Sequence, residues 1–197
     1  MVEKQLVQRG IFSKDTLRII EATPRHEFTL PQFQDQAYSD YPLPINCNQT
    51  ISQPYIVALM TQELDINKQD IILEIGTGCG YQTAILAQLC QHVYSIEIHL
   101  ELVKEAQIYF RTNNYTNITC IHKNGHDGFL EKAPYNKIIV TAAPQTLPIH
   151  LLKQLSKDGT LIIPIGTTQQ ELFKIVKTSE STYSQTKLLD VRFVPMV

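Results

Sequence analysis

Through the later two thirds of the chain, apolar residues fall into short unbroken runs separated by stretches with helical spacing. A run of four to six mostly apolar residues between turn signals reads as a strand covered on both faces, and apolar positions three and four apart mark a helix with one hidden side. On this basis strands are expected at 71–75, 93–97, 118–121, 137–141 and 160–165. Helices at 80–90, 99–113 and 146–155 alternate with them. Such alternation builds a parallel sheet with helices on both faces. After Gly166 the helical spacing stops, and residues 171–178 and 187–194 alternate or run apolar like an antiparallel pair at the sheet edge. The expected fold is α/β: a doubly wound, Rossmann-like, mostly parallel sheet with an antiparallel edge and an N-terminal helical cap.

The beginning of the chain follows another pattern. Residues 2–9 and 14–22 read as short helices, with Gly10 as a stop and Ser13 as an N-cap. Residues 23–50 read as a lid and not as core, and their aromatic and proline-rich stretch Tyr38–Pro44 cannot stay in a regular element for long. Helical spacing resumes over 54–64, with Pro54 at its first position. One domain spanning 1–197 is expected, with 1–53 as the cap and substrate-loop segment and 54–197 as the Rossmann-like core with C-terminal substrate-side strands.

Chemistry concentrates where the first core strand ends. Ile71–Ile75 runs into Gly76, Gly78 and Gly80, and a helical pattern follows. Glycines there free the backbone to turn sharply and admit a ligand closely, and a helix N-terminus presents unpaired N–H groups. Glu97 closes the next strand 21 positions after Gly76, where doubly wound folds place the acid that accepts from ribose hydroxyls. The spacing G-x-G-x-G is not that of dinucleotide binders, and no P-loop lysine follows. A cofactor without a pyrophosphate is favoured, and S-adenosylmethionine fits: ribose on Glu97, adenine in an apolar slot, the methionine end on the glycine loop and Glu74. Gly76–Gly80, Glu97, the 122–129 loop and Thr141–Pro144 are expected to converge on one crevice at the strand tips.

With 197 residues, 43% of them apolar and 18% charged, the chain can bury one sizeable core. A net charge of −2 without blocks of like charge removes the basis for tight sequence-independent nucleic-acid binding. No run reaches membrane-spanning length and the N-terminus lacks the features of a signal peptide, so the cytoplasm is the expected location. The four cysteines form no C-x-x-C pair, which suits a reducing compartment. Cys79, between two glycines at a helix start, is either a thiol made acidic by the helix dipole or a small residue filling space, the second being the simpler reading. His122, His126, Asp127 and Cys120 lie close together in sequence but on loop context that suits solvent better than a metal.

Four segments carry a family resemblance: Asn48–Tyr55 (N-Q-T-I-S-Q-P-Y), Leu73–Ala84 (L-E-I-G-T-G-C-G-Y-Q-T-A), Ile138–Pro144 (I-I-V-T-A-A-P) and Val191–Met196 (V-R-F-V-P-M). Together they resemble the protein-L-isoaspartate O-methyltransferase family, and Pro24-Arg25-His26 and Ala37-Tyr38 look like its N-terminal segment. The resemblance implies methyl transfer from S-adenosylmethionine to the free carboxylate of L-isoaspartyl (or D-aspartyl) residues in damaged proteins, after which the ester closes to a succinimide. An ionised carboxylate and a sulfonium methyl need no metal and no strong base, only alignment in a dry site. Ser52 is then the catalytic candidate, its hydroxyl orienting the acceptor carboxylate; the alternative is that it merely caps helix 54–64. Thr50 and Ile51 are the expected substrate contacts beside it, with main-chain bonds from Val194 on the C-terminal strand. The implied cofactor set is Glu74, Gly76, Thr77, Gly78, Gly80, Glu97, Asn124 and Gly125.

Two departures from the family stand out. Asn46 and Asn48 occupy positions that are usually glycine, and asparagine enters the left-handed region at some cost. Asn124, in Lys123-Asn124-Gly125, replaces a carboxylate near the expected adenine site, which predicts weaker cofactor affinity. They keep open a non-catalytic homologue that binds cofactor or protein, and a class I methyltransferase with a small-molecule acceptor is a further alternative. The expected partners are isoaspartyl proteins and peptides, with no nucleic acid or membrane, and the expected assembly is a monomer.

Overall fold

The structure is a computed structural model describing residues 1–197. In chain order its regular elements are α1 (Lys14–Ala22), β1 (Leu43–Pro44), β2 (Thr50–Ile51), α2 (Pro54–Leu64), β3 (Ile71–Ile75), α3 (Tyr81–Ala87), β4 (His92–Glu97), α4 (Leu100–Thr112), β5 (Ile118–His122), β6 (Tyr135–Val140), α5 (Ile149–Lys153), β7 (Leu155–Gly166), β8 (Gln170–Lys177) and β9 (Tyr183–Val191). The main sheet has seven strands in the order β5-β4-β3-β6-β7-β8-β9. The first five pair in parallel, and β8 and β9 add antiparallel at the edge. From β3 the chain steps outward through β4 and β5, then returns to β3's other side with β6. That reversal of direction, between β3 and β6, is where a doubly wound sheet leaves a crevice at the strand tips.

Side-chain parity along β3 divides the core. Leu73 and Ile75 face α5 and pack with Ile96, Ile138, Val140, Leu151, Leu152 and Leu161. Ile72 faces the other way, with Met60 and Leu64 of α2, Leu86 of α3 and Ile139 and Ile162 of the neighbouring strands. A third cluster joins the cap to the core: Leu6, Ile11, Ile19, Ile20, Phe28, Leu43 and Ile51 pack on Tyr81, Ile85, Leu102 and Phe110 of α3 and α4. Each such fully buried aliphatic side chain contributes about 1.5–3 kcal/mol by leaving water. Ser13 caps α1 as expected, its hydroxyl accepting from the Thr16 N–H at 3.3 Å.

Several boundaries differ from the sequence expectation. The first expected helix is two pieces, a wider π turn over Val2–Leu6 and a tighter 3-10 turn over Val7–Arg9. The expected helix 146–155 shrinks to Ile149–Lys153, because Pro144 and Pro148 leave the segment before it without the amides a helix needs. Strand β7 starts at Leu155, ahead of the apolar run, through an irregularity in its pairing with β6. The last strand ends at Val191, not 194.

The segment expected as a lid outside the core forms two 3-10 turns, Arg25–Phe28 and Pro31–Gln36, and buries Phe28, Leu43 and Ile45 in the core, where they pack with side chains of α3 and α4. It closes in a short β1–β2 hairpin pairing Leu43 with Ile51 and Pro44 with Thr50. Its turn is left-handed at Cys47 (φ 58°) and Asn48 (φ 56°), so of the two asparagines only Asn48 bears that conformation. Asn46 instead donates from Nδ2 to Glu105 Oε1 of α4 at 2.8 Å. Residues 37–41 are pinned from several sides: Arg25 Nε donates to Ala37 O, Gln5 Nε2 to Tyr38 O and Gln53 Nε2 to Asp40 O, and Arg9 pairs with the Asp40 carboxylate while lying over the Tyr55 ring.

Candidate active site

At the tips of β3, β4 and β6 the sheet opens a cleft holding about 900 Å³ of space free of protein atoms, part of it open to solvent. Its walls come from segments far apart in sequence: Gln49–Ser52 of the lid, Ile75–Cys79, Ile96–His99, Gly125, Thr141 and Ala142, and Val194–Val197.

The turn after β3 is fixed before any ligand enters. The N–H groups of Gly76 and Thr77 donate to Ile96 O, at 2.8 and 3.3 Å. Glu97, 6% exposed, accepts from the Gly78 N–H through Oε2 and from the His99 N–H through Oε1, both at 2.9 Å. Its carboxylate is thus held rigidly at the cleft wall, with lone pairs left for further donors. The Thr77 hydroxyl shares a 2.6 Å hydrogen bond with Ser95 Oγ.

The three glycines serve different needs. A Cβ on Gly76 (φ 99°) would come within 2.3 Å of Thr141 Oγ1, and one on Gly80 (φ 90°) within 2.7 Å of the Phe110 ring. Only at Gly78 would a Cβ find ordinary contact distances. Gly80 is not among the residues that line the cleft, and its missing Cβ leaves room for the Phe110 ring of α4. Gly125 does line it, and a Cβ there would strike Ile75.

Two further residues of the expected cofactor set do not line the cleft. Glu74 is 0% exposed and shares the Ile72 face of β3, under α3, where Oε2 accepts from Thr83 Oγ1 and Ser95 Oγ while Oε1 has no partner. Burial pushes its pKa up to about 7, against the lowering effect of the Ser95 and Thr83 hydroxyls. Glu74 therefore lies behind the glycine turn instead of lining the cleft. Asn124 is exposed; its Oδ1 caps the Gly125–Asp127 turn by accepting from the His126 N–H at 2.9 Å. Of the 123–129 loop only Gly125 lines the cleft.

Ser52 also lines the cleft, half-buried. Helix α2 takes Gln53 as its N-cap residue, and the Ser52 hydroxyl has no partner within the chain, so the capping role is not what it does here. Thr50 and Ile51 line the cleft beside it. Val194 lines it too, but not as part of a free strand edge: its carbonyl accepts from the Ala143 N–H at 2.8 Å, and the Met196 N–H donates to Ala143 O at 2.9 Å. Gln49, Met60, Tyr81, Gln82 and His99 complete the walls without having been expected. His99 was findable, two residues past Glu97 at the start of α4, whereas Met60 and Gln82 reach the cleft only through the packing of α2 on α3. Burial pushes the Cys79 thiol up to about 11, which favours the small-residue reading of Cys79 over the acidic one.

A family model described as protein-L-isoaspartate(D-aspartate) O-methyltransferase matches residues 1–197. A protein-L-isoaspartate O-methyltransferase of Synechococcus sp. is 43% identical over 205 residues, an alignment spanning 100% of this chain and 84% of the relative. That of Paracoccus denitrificans is 45% identical over 194 residues, 98% of this chain and 89% of its own. Among solved structures, a Plasmodium falciparum protein described as a protein-L-isoaspartate O-methyltransferase in complex with S-adenosyl-L-homocysteine superposes with a TM-score of 0.85 at 25% identity, covering 100% of this chain and 96% of the other. A second protein-L-isoaspartate O-methyltransferase gives 0.87 at 26% identity over 99% of this chain and 65% of the other.

Proposed function

The chain belongs to the protein-L-isoaspartate(D-aspartate) O-methyltransferase family, and from that premise we propose how its residues divide the work of the reaction. The enzyme methylates the free carboxylate of L-isoaspartyl or D-aspartyl residues in damaged proteins, with S-adenosylmethionine as donor. When bound, the cofactor supplies an electrophilic methyl on a sulfonium. The residues present fit it: a rigid carboxylate for the ribose at Glu97, a tight turn at Gly76–Gly78 and apolar surface from Ile75, Ile96 and Ile98.

In this reading Glu97 accepts from the ribose hydroxyls, Gly76, Thr77 and Gly78 bring the backbone close to the methionine end, and Gly125 leaves room at the adenine end. Ser52 donates its free hydroxyl to the acceptor carboxylate, with Thr50 and Ile51 shaping the pocket around it and Val194 bounding the far side. No proton has to move, because the acceptor is already ionised at neutral pH. The chain's contribution is alignment and exclusion of water, which for well-oriented groups accounts for many orders of magnitude. One observation carries the reading: Ser52, with its unpartnered hydroxyl, and Glu97, with its fixed carboxylate, line the same cleft at the strand tips. The test is incubation with labelled S-adenosylmethionine and paired peptides differing only in aspartate or isoaspartate. Label confined to the isoaspartyl peptide supports it, and label in neither sinks it.

A monomer in the cytoplasm, folding as one unit from cap to edge and without nucleic-acid or membrane partners, suits a net charge of −2, a cap packed on α3 and α4, and the absence of any helix long and apolar enough to cross a membrane. Sedimentation at micromolar concentration checks the monomer.

A further inference from the structure

Arg25 is 0% exposed, yet only one nitrogen of its guanidinium is satisfied, Nε donating to Ala37 O at 2.7 Å. Nη1 and Nη2 are buried without any partner, and none of the chain's ion pairs includes this residue. A guanidinium stays charged at every pH a protein meets, and a buried charge without a paired carboxylate is among the costliest arrangements a fold can hold. Asp40 acts on this guanidinium only through its charge and without a hydrogen bond: its Oδ2 is engaged by Arg9 and its Oδ1 is unpaired. The guanidinium lies 5.2 Å from the centre of the Tyr81 ring, and the Tyr81 hydroxyl is buried without a partner as well.

Tyr81 is a wall of the cleft, as is its neighbour Cys79. The lining contains no lysine and no arginine; the charged side chain it does contain is the carboxylate of Glu97. A second carboxylate entering this cleft finds hydroxyls but no positive side chain in the wall itself.

We propose that Arg25 is the acceptor's countercharge: a specificity-determining positioning residue whose unpaired guanidinium, behind Tyr81, makes the acceptor end of the cleft favour a carboxylate over a neutral group of the same shape. The inference rests on the methyltransferase reading above. Anchoring of the lid through Ala37 is the simpler role for Arg25, and the two roles separate in a ratio. Binding to the S-adenosylhomocysteine-loaded enzyme is measured for an isoaspartyl peptide and for the same peptide with that carboxylate made a carboxamide. Wild type is expected to prefer the carboxylate by about tenfold or more. Arg25→Gln, whose amide can still donate to Ala37 O, is expected to lose most of that preference, and Arg25→Lys to keep it. Loss of anchoring alone weakens both peptides equally, so an unchanged ratio in Arg25→Gln overturns the proposal. Asp40→Asn gives an independent check if Arg25→Gln does not fold: removing the partial countercharge is expected to raise the carboxylate preference, and a fall or no change overturns the inference. Methylation of the isoaspartyl peptide by wild type, measured alongside, tells failure of this inference from failure of the reading beneath it.

Discussion

Ser52 and Glu97 face one cleft but differ in how far the fold depends on them. The Ser52 hydroxyl bonds to nothing in the chain, so Ser52→Ala is expected to lower kcat/KM for an isoaspartyl peptide by about 10–100-fold while leaving the unfolding midpoint nearly unchanged. Steady-state kinetics beside a thermal melt reads both; a melt that falls with the activity would mean the hydroxyl supports the fold. Glu97→Ala is expected to do both kinds of damage, because it orphans the Gly78 and His99 amides as well as removing the ribose acceptor, at a cost of about 1–3 kcal/mol per unsatisfied amide. Calorimetric titration with S-adenosylhomocysteine and urea unfolding measure the two losses separately. The sequence showed which residues were chemical better than where they pointed. Glu74 and Glu97 both sit on strands that lead into the cleft, but Glu74 shares its parity with Ile72 and turns under α3, while Glu97, the last residue of β4, stands at the tip. The period of two was visible in the run; which of its two faces would meet the cleft was a matter of tertiary packing.

Among the elements, the loop from Gly125 to Phe129 shows how far a site can depend on a residue outside it. Gln154, just past α5, accepts from the Phe129 N–H through Oε1 and donates to Asp127 O through Nε2, and Gly128 packs directly against that amide. Gln154→Ala is expected to weaken cofactor binding several-fold and to speed amide exchange over residues 125–129, because a buried clamp with two good bonds is replaced by a hole. Hydrogen exchange with and without S-adenosylhomocysteine checks it; unchanged protection in the loop would refute the clamp. Alternating runs made the five parallel strands and the added antiparallel pair readable. The short α5 and the early start of β7 were not, since one depends on prolines breaking a plausible pattern and the other on pairing with β6 across a bulge. The ends of the last strand were misjudged for a related reason: Val194 binds Ala143 by its carbonyl, a contact between residues far apart in sequence that periodicity does not reveal.

For the whole molecule, Glu74 sets a pH dependence of stability with an unusual sign. Its folded pKa, pushed up to about 7, lies above the ordinary carboxylate value of about 4.3 that it regains on unfolding. Below that lower value both states hold the proton; between about 4.3 and 7 only the folded chain does, so stability drops as pH rises through this window, by up to about 4 kcal/mol, and levels off above it. Urea unfolding at pH 5, 6, 7 and 8 is expected to show this decline, and Glu74→Gln to flatten it; an equal slope in the variant would assign the effect elsewhere. The cleft, finally, is walled by the hairpin near residue 50, the core turns and the last four residues together. A molecule lodged there is a clasp between distant stretches of the polymer, and neither the hairpin nor the tail can peel away without first releasing it. Occupancy should therefore shield both stretches from proteases at once, so that the well-supplied enzyme ages more slowly than the idle one.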